Sequence, residues 1–405
     1  MRKKWLEKGC AVLLGAAMTA GLTACGGTQG AVQETGQEQE AAQEEQADPV
    51  ETESAEEAEE ASRYSITEEN DNQELTMNRQ PEASYWFPAG LLEWNAAEDE
   101  DLIFNVSTVP LKERVDTADL GTVNGTQNKD TKSMAISIMN GSTSGNSPHG
   151  LNKMNANAFS YWQYVDLLVY WGGSSGEGLI VAPSPDVVDA GHKNGVKVIG
   201  TVFMPQVEHG GKMEWLYDLL QKKEDGSFPV ADKLIEVANT YGFDGWFMNQ
   251  ETQGTEEEPL TKEHASLMQE FLSYYKEKAP DLELVYYDSM TVDGEMDWQN
   301  ALTEKNVSYL KSEEGADIAD AMFINFGWTY DKYAPDELIK SSAELAAEKQ
   351  IDPHDLYAGI DLQSNGYDTP IKWNLFENPD GGTYTSLGLY CPSWTYSSSQ
   401  MIHAF

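Results

Sequence analysis

The sequence predicts an eight-stranded parallel α/β barrel of the TIM type, on three observations. Short apolar runs alternate with stretches of helical periodicity over about 250 residues, the rhythm of repeated β-α units. The runs are rich in β-branched and aromatic residues, as strands buried on both faces are. No Gly-x-Gly-x-x-Gly follows the first run, so the usual sign of an open dinucleotide-binding sheet is missing.

The chain begins with a basic start (Arg2, Lys3, Lys4) and an apolar run over 11–22. That run is too short to span a bilayer and reads as a secretory signal over 1–24. It ends in Leu22-Thr23-Ala24-Cys25-Gly26, which looks like a bacterial lipobox, so Cys25 is expected to carry the lipid that anchors the protein at the cell surface. An ordinary signal peptide with a chance cysteine is the alternative. Residues 25–72 are Glu, Gln, Ala, Ser and Thr with almost no large apolar side chain. Such a segment cannot bury enough surface to offset its chain entropy, and reads as a disordered acidic tether. The formal net charge of −42 excludes nucleic acid as a partner, since nothing neutralises phosphates. With Cys25 lipidated, Cys391 has no disulfide partner in the mature chain and reads as a small buried hydrophobe.

The folded domain is expected over 73–405. An aromatic and proline-rich lead-in runs from Gln80 to Leu111. The predicted strands are 134–139, 165–170, 196–203, 243–249, 282–287, 321–326, 356–361 and 386–391, and helical periodicity falls at 185–194, 213–223, 230–241, 263–278 and 336–349. After the eighth run there is no room for a full helix, so either the chain is truncated or another segment closes the barrel.

The organising stretch is Gly242-Phe243-Asp244-Gly245-Trp246-Phe247-Met248-Asn249-Gln250-Glu251. Gly242 stops a helix and the aromatic run that follows is the fourth strand. Residues i and i+2 of a strand share a face, so Asn249 and Glu251 project together from its C-terminal end, the active-site end in such barrels.

An Asp-Gly-aromatic strand ending in an acid looks like the acid-bearing strand of chitinase-like family 18 barrels, where Asp stands two residues before the Glu. With Asn249 at that position the stretch resembles glycoside hydrolase family 85, the endo-β-N-acetylglucosaminidases. The resemblance extends to Tyr161-Trp162-Gln163-Tyr164-Val165-Asp166, to 190–201, to Tyr286-Tyr287-Asp288-Ser289-Met290 with Trp298-Gln299-Asn300, and to Phe323-Ile324-Asn325-Phe326-Gly327-Trp328. It implies a substrate-assisted mechanism in which the 2-acetamido oxygen of an N-acetylglucosamine attacks its own anomeric carbon. It implies Glu251 as acid and then base, Asn249 holding the acetamide N–H, and Tyr287 bonding near the acetamide. Trp298 and Trp328 would line the sugar site, with Asn325 and Asp361 as polar contacts. The substrate it implies is the N-linked glycan of a glycoprotein.

The chain departs from the family pattern at Tyr170-Trp171-Gly172-Gly173, at Val202-Phe203-Met204-Pro205-Gln206 and at Gln363. Those positions fall on loops of the active-site face and bear on glycan preference. The six histidines show no ligand spacing, His192 reads as structural, and no metal or cofactor is expected. Two rival functions stand beside the first: a family 18-like hydrolase of chitin or peptidoglycan-type chains, and a surface protein that binds glycans without turnover.

Overall fold

The computed structural model describes residues 64–65, 76–77, 81–115, 121, 128–140, 142–149, 159–363, 365–393 and 395. The signal segment with Cys25, and most of the stretch read as a tether, lie outside the described residues. Tyr64–Ser65, at the end of that stretch, pairs antiparallel with Thr76–Met77 just beyond it.

Eight parallel strands form the barrel: β1 (Ser133–Ile138), β2 (Leu167–Trp171), β3 (Lys197–Met204), β4 (Gly245–Gln250), β5 (Glu283–Tyr287), β6 (Ala321–Ile324), β7 (Leu356–Asp361) and β8 (Ser386–Tyr390). Each pairs with the next, and β8 pairs back onto β1 with Leu387 opposite Ser133 and Tyr390 opposite Ile136. The eighth strand itself therefore closes the barrel, whatever follows it. All eight predicted runs became strands within two or three residues of the expected ends.

The helices are α1 (Pro88–Glu93) and α2 (Leu102–Asn105) in the lead-in, then α3 (Pro185–Lys193), α4 (Met213–Leu219), α5 (Pro229–Tyr241), α6 (Lys262–Lys278) and α7 (Leu338–Glu348). Every predicted helical stretch holds one. Among the described residues, the returns from β1 to β2, β5 to β6 and β7 to β8 carry only 3-10 turns and loops. Gly242 ends α5 at φ +78°, its N–H bonded to the Ala238 carbonyl; a residue with a Cβ is strained in that left-handed conformation.

Two apolar cores flank the strand wall. The outer one lies between strands and helices and includes Trp246, Met248, Tyr286 and Trp328. The inner one fills the barrel with Met134, Ile136, Val169, Ile199, Phe247, Val285, Phe323 and Tyr357. Phe323 occupies its middle because two paired neighbours, Gly359 and Gly388, have no Cβ. A methyl on Gly388 would come within 2.3 Å of the Phe323 ring. Side chains therefore plug the lower barrel and leave chemistry to the C-terminal mouth.

The N-terminal ends of the strands are stapled. Asp166, Asp244 and Asp320 each accept the backbone N–H of the preceding barrel strand, from Ser133, Val198 and Leu284 at 2.7, 2.7 and 2.8 Å. Asp244, inside the organising stretch, is thus a structural residue. His192 sits between it and the Val109 carbonyl, with ring nitrogens at 2.9 and 2.6 Å from the two oxygens. Burial alone would lower the His192 pKa, but the hydrogen bonds to Asp244 and Val109 and the Asp244 charge outweigh it and raise it above the ordinary value. The imidazole is structural, as expected.

The lead-in reaches well beyond a cover for the barrel bottom. Tyr85–Trp86 pairs with Ile180–Val181, which pairs antiparallel with β3. Trp86 and Trp94 pack on Tyr241, whose hydroxyl donates to Asp99 at 2.9 Å. Further on, Arg114 holds Asp166 at 2.7 Å beneath the barrel.

Candidate active site

The barrel interior alternates with its outer face, so Phe247, Asn249 and Glu251 point inward in ascending order along β4. Met204 accepts the Glu251 N–H at 2.8 Å and Pro205 accepts the Thr252 hydroxyl at 2.7 Å, which fixes the end of β4 against β3. On the other side, the Ser289 hydroxyl donates to the Gln250 carbonyl at 2.6 Å.

Asn249 and Glu251 are each only 2% exposed. The Asn249 Nδ2 donates to Glu251 Oε1 at 3.1 Å, and the Gln206 Nε2 donates to Glu251 Oε2 at 2.9 Å. Burial raises the Glu251 pKa above the ordinary carboxyl value, while the two amide donors pull the other way. Because Asn249 spends its N–H on the carboxyl, its carbonyl Oδ1 faces the other way, and that buried oxygen has no hydrogen-bond partner. An unsatisfied buried acceptor costs about 1–3 kcal/mol, a cost that an incoming N–H would remove.

Tyr287 lies beside Asn249, since Met248 pairs with Tyr286 one residue earlier. Its hydroxyl donates to Asn325 Oδ1 at 2.8 Å, and Asn325 Nδ2 donates to Asn300 Oδ1 at 2.9 Å. The Gly327 N–H also points at Asn300 Oδ1, at 2.8 Å, which identifies that atom as the oxygen and sets the direction of the whole chain. Burial, with the Glu251 and Asp288 charges, raises the Tyr287 pKa well above its usual value, so the phenol keeps its proton.

This chain of amides hangs on Asp288. The carboxylate accepts the Gln299, Asn300 and Asn325 N–H groups and the Asn306 side-chain amide, at 3.2, 2.7, 3.5 and 2.9 Å. Burial pushes its pKa up to about 7 against those four donors. Asn300 takes φ +56°, a left-handed conformation that asparagine tolerates better than most residues. The turn delivers Trp298 to the mouth, where it packs on the inner core. The buried Trp298 Nε1–H, close to the Tyr287 hydroxyl, makes no hydrogen bond of standard geometry.

Six of the seven residues singled out for chemistry and substrate therefore meet at the mouth: Asn249, Glu251, Tyr287, Trp298, Asn325 and Asp361. Asp361 ends β7, half-buried, with the Gln363 N–H on one oxygen at 2.9 Å; burial pushes its pKa up to about 6. Trp328 is the correction. It is fully buried in the outer core, its indole N–H committed to the Gly359 carbonyl at 2.7 Å, and it packs on Phe376. The 3-10 turn Phe326–Thr329 sends Phe326 inward and Trp328 outward, so Trp328 lines no sugar site.

Sequence reasoning missed Gln206, Asp288, Asn300 and Tyr390 as members of the site. Tyr390 stands at the C-terminal end of a predicted strand, the same signal that singled out Asn249, whereas Gln206 lies three residues past the end of another. Tyr390 pairs with Asp361 and packs on Trp171 and Phe326, completing an aromatic wall with Phe203.

A plugged parallel barrel with the buried carboxyl of Glu251 at its mouth, an amide two residues before it on the same strand, and aromatic walls suits the cleavage of sugars. That places the protein among barrel glycoside hydrolases. Comparison with known families is more specific: the profile of glycosyl hydrolase family 85 matches residues 140–405, and the chain belongs to that family. Family 18, the nearer rival, is thereby set aside. Among solved structures, the glycoside hydrolase domain of Endo-D from Streptococcus pneumoniae R6 is 33% identical with a TM-score of 0.66, over 76% of this chain and 46% of that one. Curated relatives include cytosolic endo-beta-N-acetylglucosaminidase 2 of Arabidopsis thaliana, 30% identical over 60% of this chain and 31% of the relative. The cytosolic endo-beta-N-acetylglucosaminidase of Danio rerio is 27% identical over 76% and 39%. The chain thus spans between three and four tenths of the length of these relatives.

Proposed function

We propose that the protein cleaves the β-1,4 bond between the two core N-acetylglucosamines of N-linked glycans, with retention of configuration. The observation that carries this reading is the unpartnered Oδ1 of buried Asn249, beside the carboxyl of Glu251. A retaining glycosidase that uses two carboxylates needs one as nucleophile; the side chain beside the acid on β4 is an amide, which favours a nucleophile supplied by the substrate.

In the first step the acetamide oxygen bonds to C1 as the C1–O4 bond breaks, and Glu251 gives its proton to the departing oxygen. Asn249 Oδ1 accepts the acetamide N–H, orients the group for attack and offsets the positive charge of the oxazolinium. In the second step the Glu251 carboxylate takes a proton from water and the hydroxyl oxygen bonds to C1 as the bond from C1 to the acetamide oxygen breaks, which restores the acetamide. Two displacements at C1 give retention. The Tyr287 hydroxyl and the Trp298 indole N–H lie at the rim of this pocket, and the Trp298, Trp171 and Tyr390 faces suit the C–H faces of pyranose rings.

The same reading includes a lipid anchor at Cys25 and a place at the bacterial cell surface, supported by the lipobox-like sequence and the acidic stretch after it. A Cys25→Ala chain released from the membrane fraction supports that part; an unchanged distribution opposes it.

The test of the chemistry is a mass-spectrometric digest of a high-mannose glycoprotein, with Glu251→Gln alongside. Loss of the glycan leaving one N-acetylglucosamine, abolished in the variant, is the expected result. Glycan binding by a folded wild type that releases no product across several glycan types would instead mean a lectin-like protein.

A further inference from the structure

Gln206 stands where the chain departs from the ending expected of its third strand, and nothing in the resemblance gives it a role. The side chain is buried, and its Nε2 lies 2.9 Å from Glu251 Oε2. Its backbone is held from both sides. The Gln206 carbonyl accepts N–H groups from His209 and Gly211 at 2.9 and 3.0 Å, and the neighbouring Val207 N–H is bonded by Gln253 at 3.1 Å. The amide is thus presented to Glu251 from a fixed turn.

Resting on the function proposed above, we infer that Gln206 is a positioning residue for the acid: its amide holds Glu251 Oε2 and stabilises the carboxylate each time the proton leaves. Asn249 cannot carry this alone, because it must hold the acetamide with its oxygen while its nitrogen touches Oε1. Among the described residues, the side-chain hydrogen bond of Gln206 goes to the acid. The groups that face Glu251 from the surrounding strands are Asn249 on β4, Gln206 after β3, Tyr287 on β5 and Tyr390 on β8; the charge of Glu251 raises the pKa of both tyrosines. Asp361 adds a carboxyl at the end of β7. No cation is among the groups that shift Glu251, so the two amides are the chief counterweight to burial.

The mechanism fixes the sign of the effect. Glu251 must be protonated in the free enzyme, so kcat/KM falls as pH rises through its pKa. Removing a donor from the carboxylate raises that pKa and weakens the acid. In Gln206→Met, close in shape but without a donor, the basic limb of kcat/KM on a high-mannose glycopeptide is expected to move up by about one pH unit. The plateau of kcat should fall about tenfold, with KM little changed. Gln206→Glu should move the limb further, since two carboxyls would then share the site.

An activity-independent readout separates this idea from the functional reading. Carboxyl carbon-13 titration of Glu251, assigned by difference against Glu251→Gln, should show the same upward shift in Gln206→Met. A wild type without activity would overturn the proposed function, and the titration would still decide Gln206. An unmoved titration and an unmoved limb, in variants with wild-type circular dichroism, would overturn the inference.

Discussion

Asn249 donates its amide N–H to the carboxyl of Glu251 at 3.1 Å and in doing so turns its own carbonyl oxygen into an unfilled position. One contact thus orients the acid and prepares the acceptor. Asn249→Ala should lose both, with kcat/KM down about 100-fold or more, the scale set by removing one oriented polar group from a transition state. Asn249→Asp keeps an acceptor but puts a second carboxyl against Oε1. Steady-state kinetics across pH should find its basic limb displaced upward and part of its activity retained. Equal loss in both variants would mean that the acceptor oxygen does not matter.

Asp288 is expected to matter as much as the acid without touching substrate. In Asp288→Asn, one amide NH2 must face backbone N–H groups that now have no acceptor. A cost of about 2–4 kcal/mol in urea unfolding is expected, a few unsatisfied groups at about 1–3 kcal/mol each with partial relaxation. Intrinsic fluorescence should report that Trp298 has left the mouth. Retained stability and kcat would sever Asp288 from the site.

His192 and Asp244 give the barrel bottom a pH dependence of defined sign. The folded pKa of His192 lies above its unfolded value, so its contribution is fully present below the unfolded pKa, about 6.5, and is lost as pH rises through the folded pKa. In urea unfolding from pH 5 to 9, His192→Gln should be less stable than wild type at the acid end and differ less at the alkaline end. Asp244→Ala, which leaves the Val198 N–H and one nitrogen of the buried imidazole without a partner, should cost about 3 kcal/mol or more near pH 6.

Gly388→Ala tests the plug. The added methyl meets the Phe323 ring, and overpacking of this kind costs about 1–3 kcal/mol. Thermal unfolding should fall accordingly. Combining it with Phe323→Leu should recover part of the loss, and a purely additive double variant would argue against direct contact.

The strands were legible because a parallel barrel buries both faces, which leaves unbroken apolar runs in the sequence. The five helices were legible from their periodicity. Asn249 and Glu251 were legible because an i, i+2 pair on one strand is local geometry. Gln206 was not, because its bond to Glu251 joins residues 45 apart through the register of β3 with β4. Trp328 was misread for a similar reason. A buried indole has the same sequence signature on either side of a strand wall, and only the turn after β6 decides which side it takes.

The pairing of β8 with β1 has a kinetic consequence. Ser133 and Leu387 become neighbours only after more than two hundred intervening residues have been placed. Until β8 docks, β1 and β7 both present open edges, and a curved, unfinished sheet with two free rims is prone to pair with another chain. Refolding from denaturant should therefore be slow, and its yield should fall as protein concentration rises.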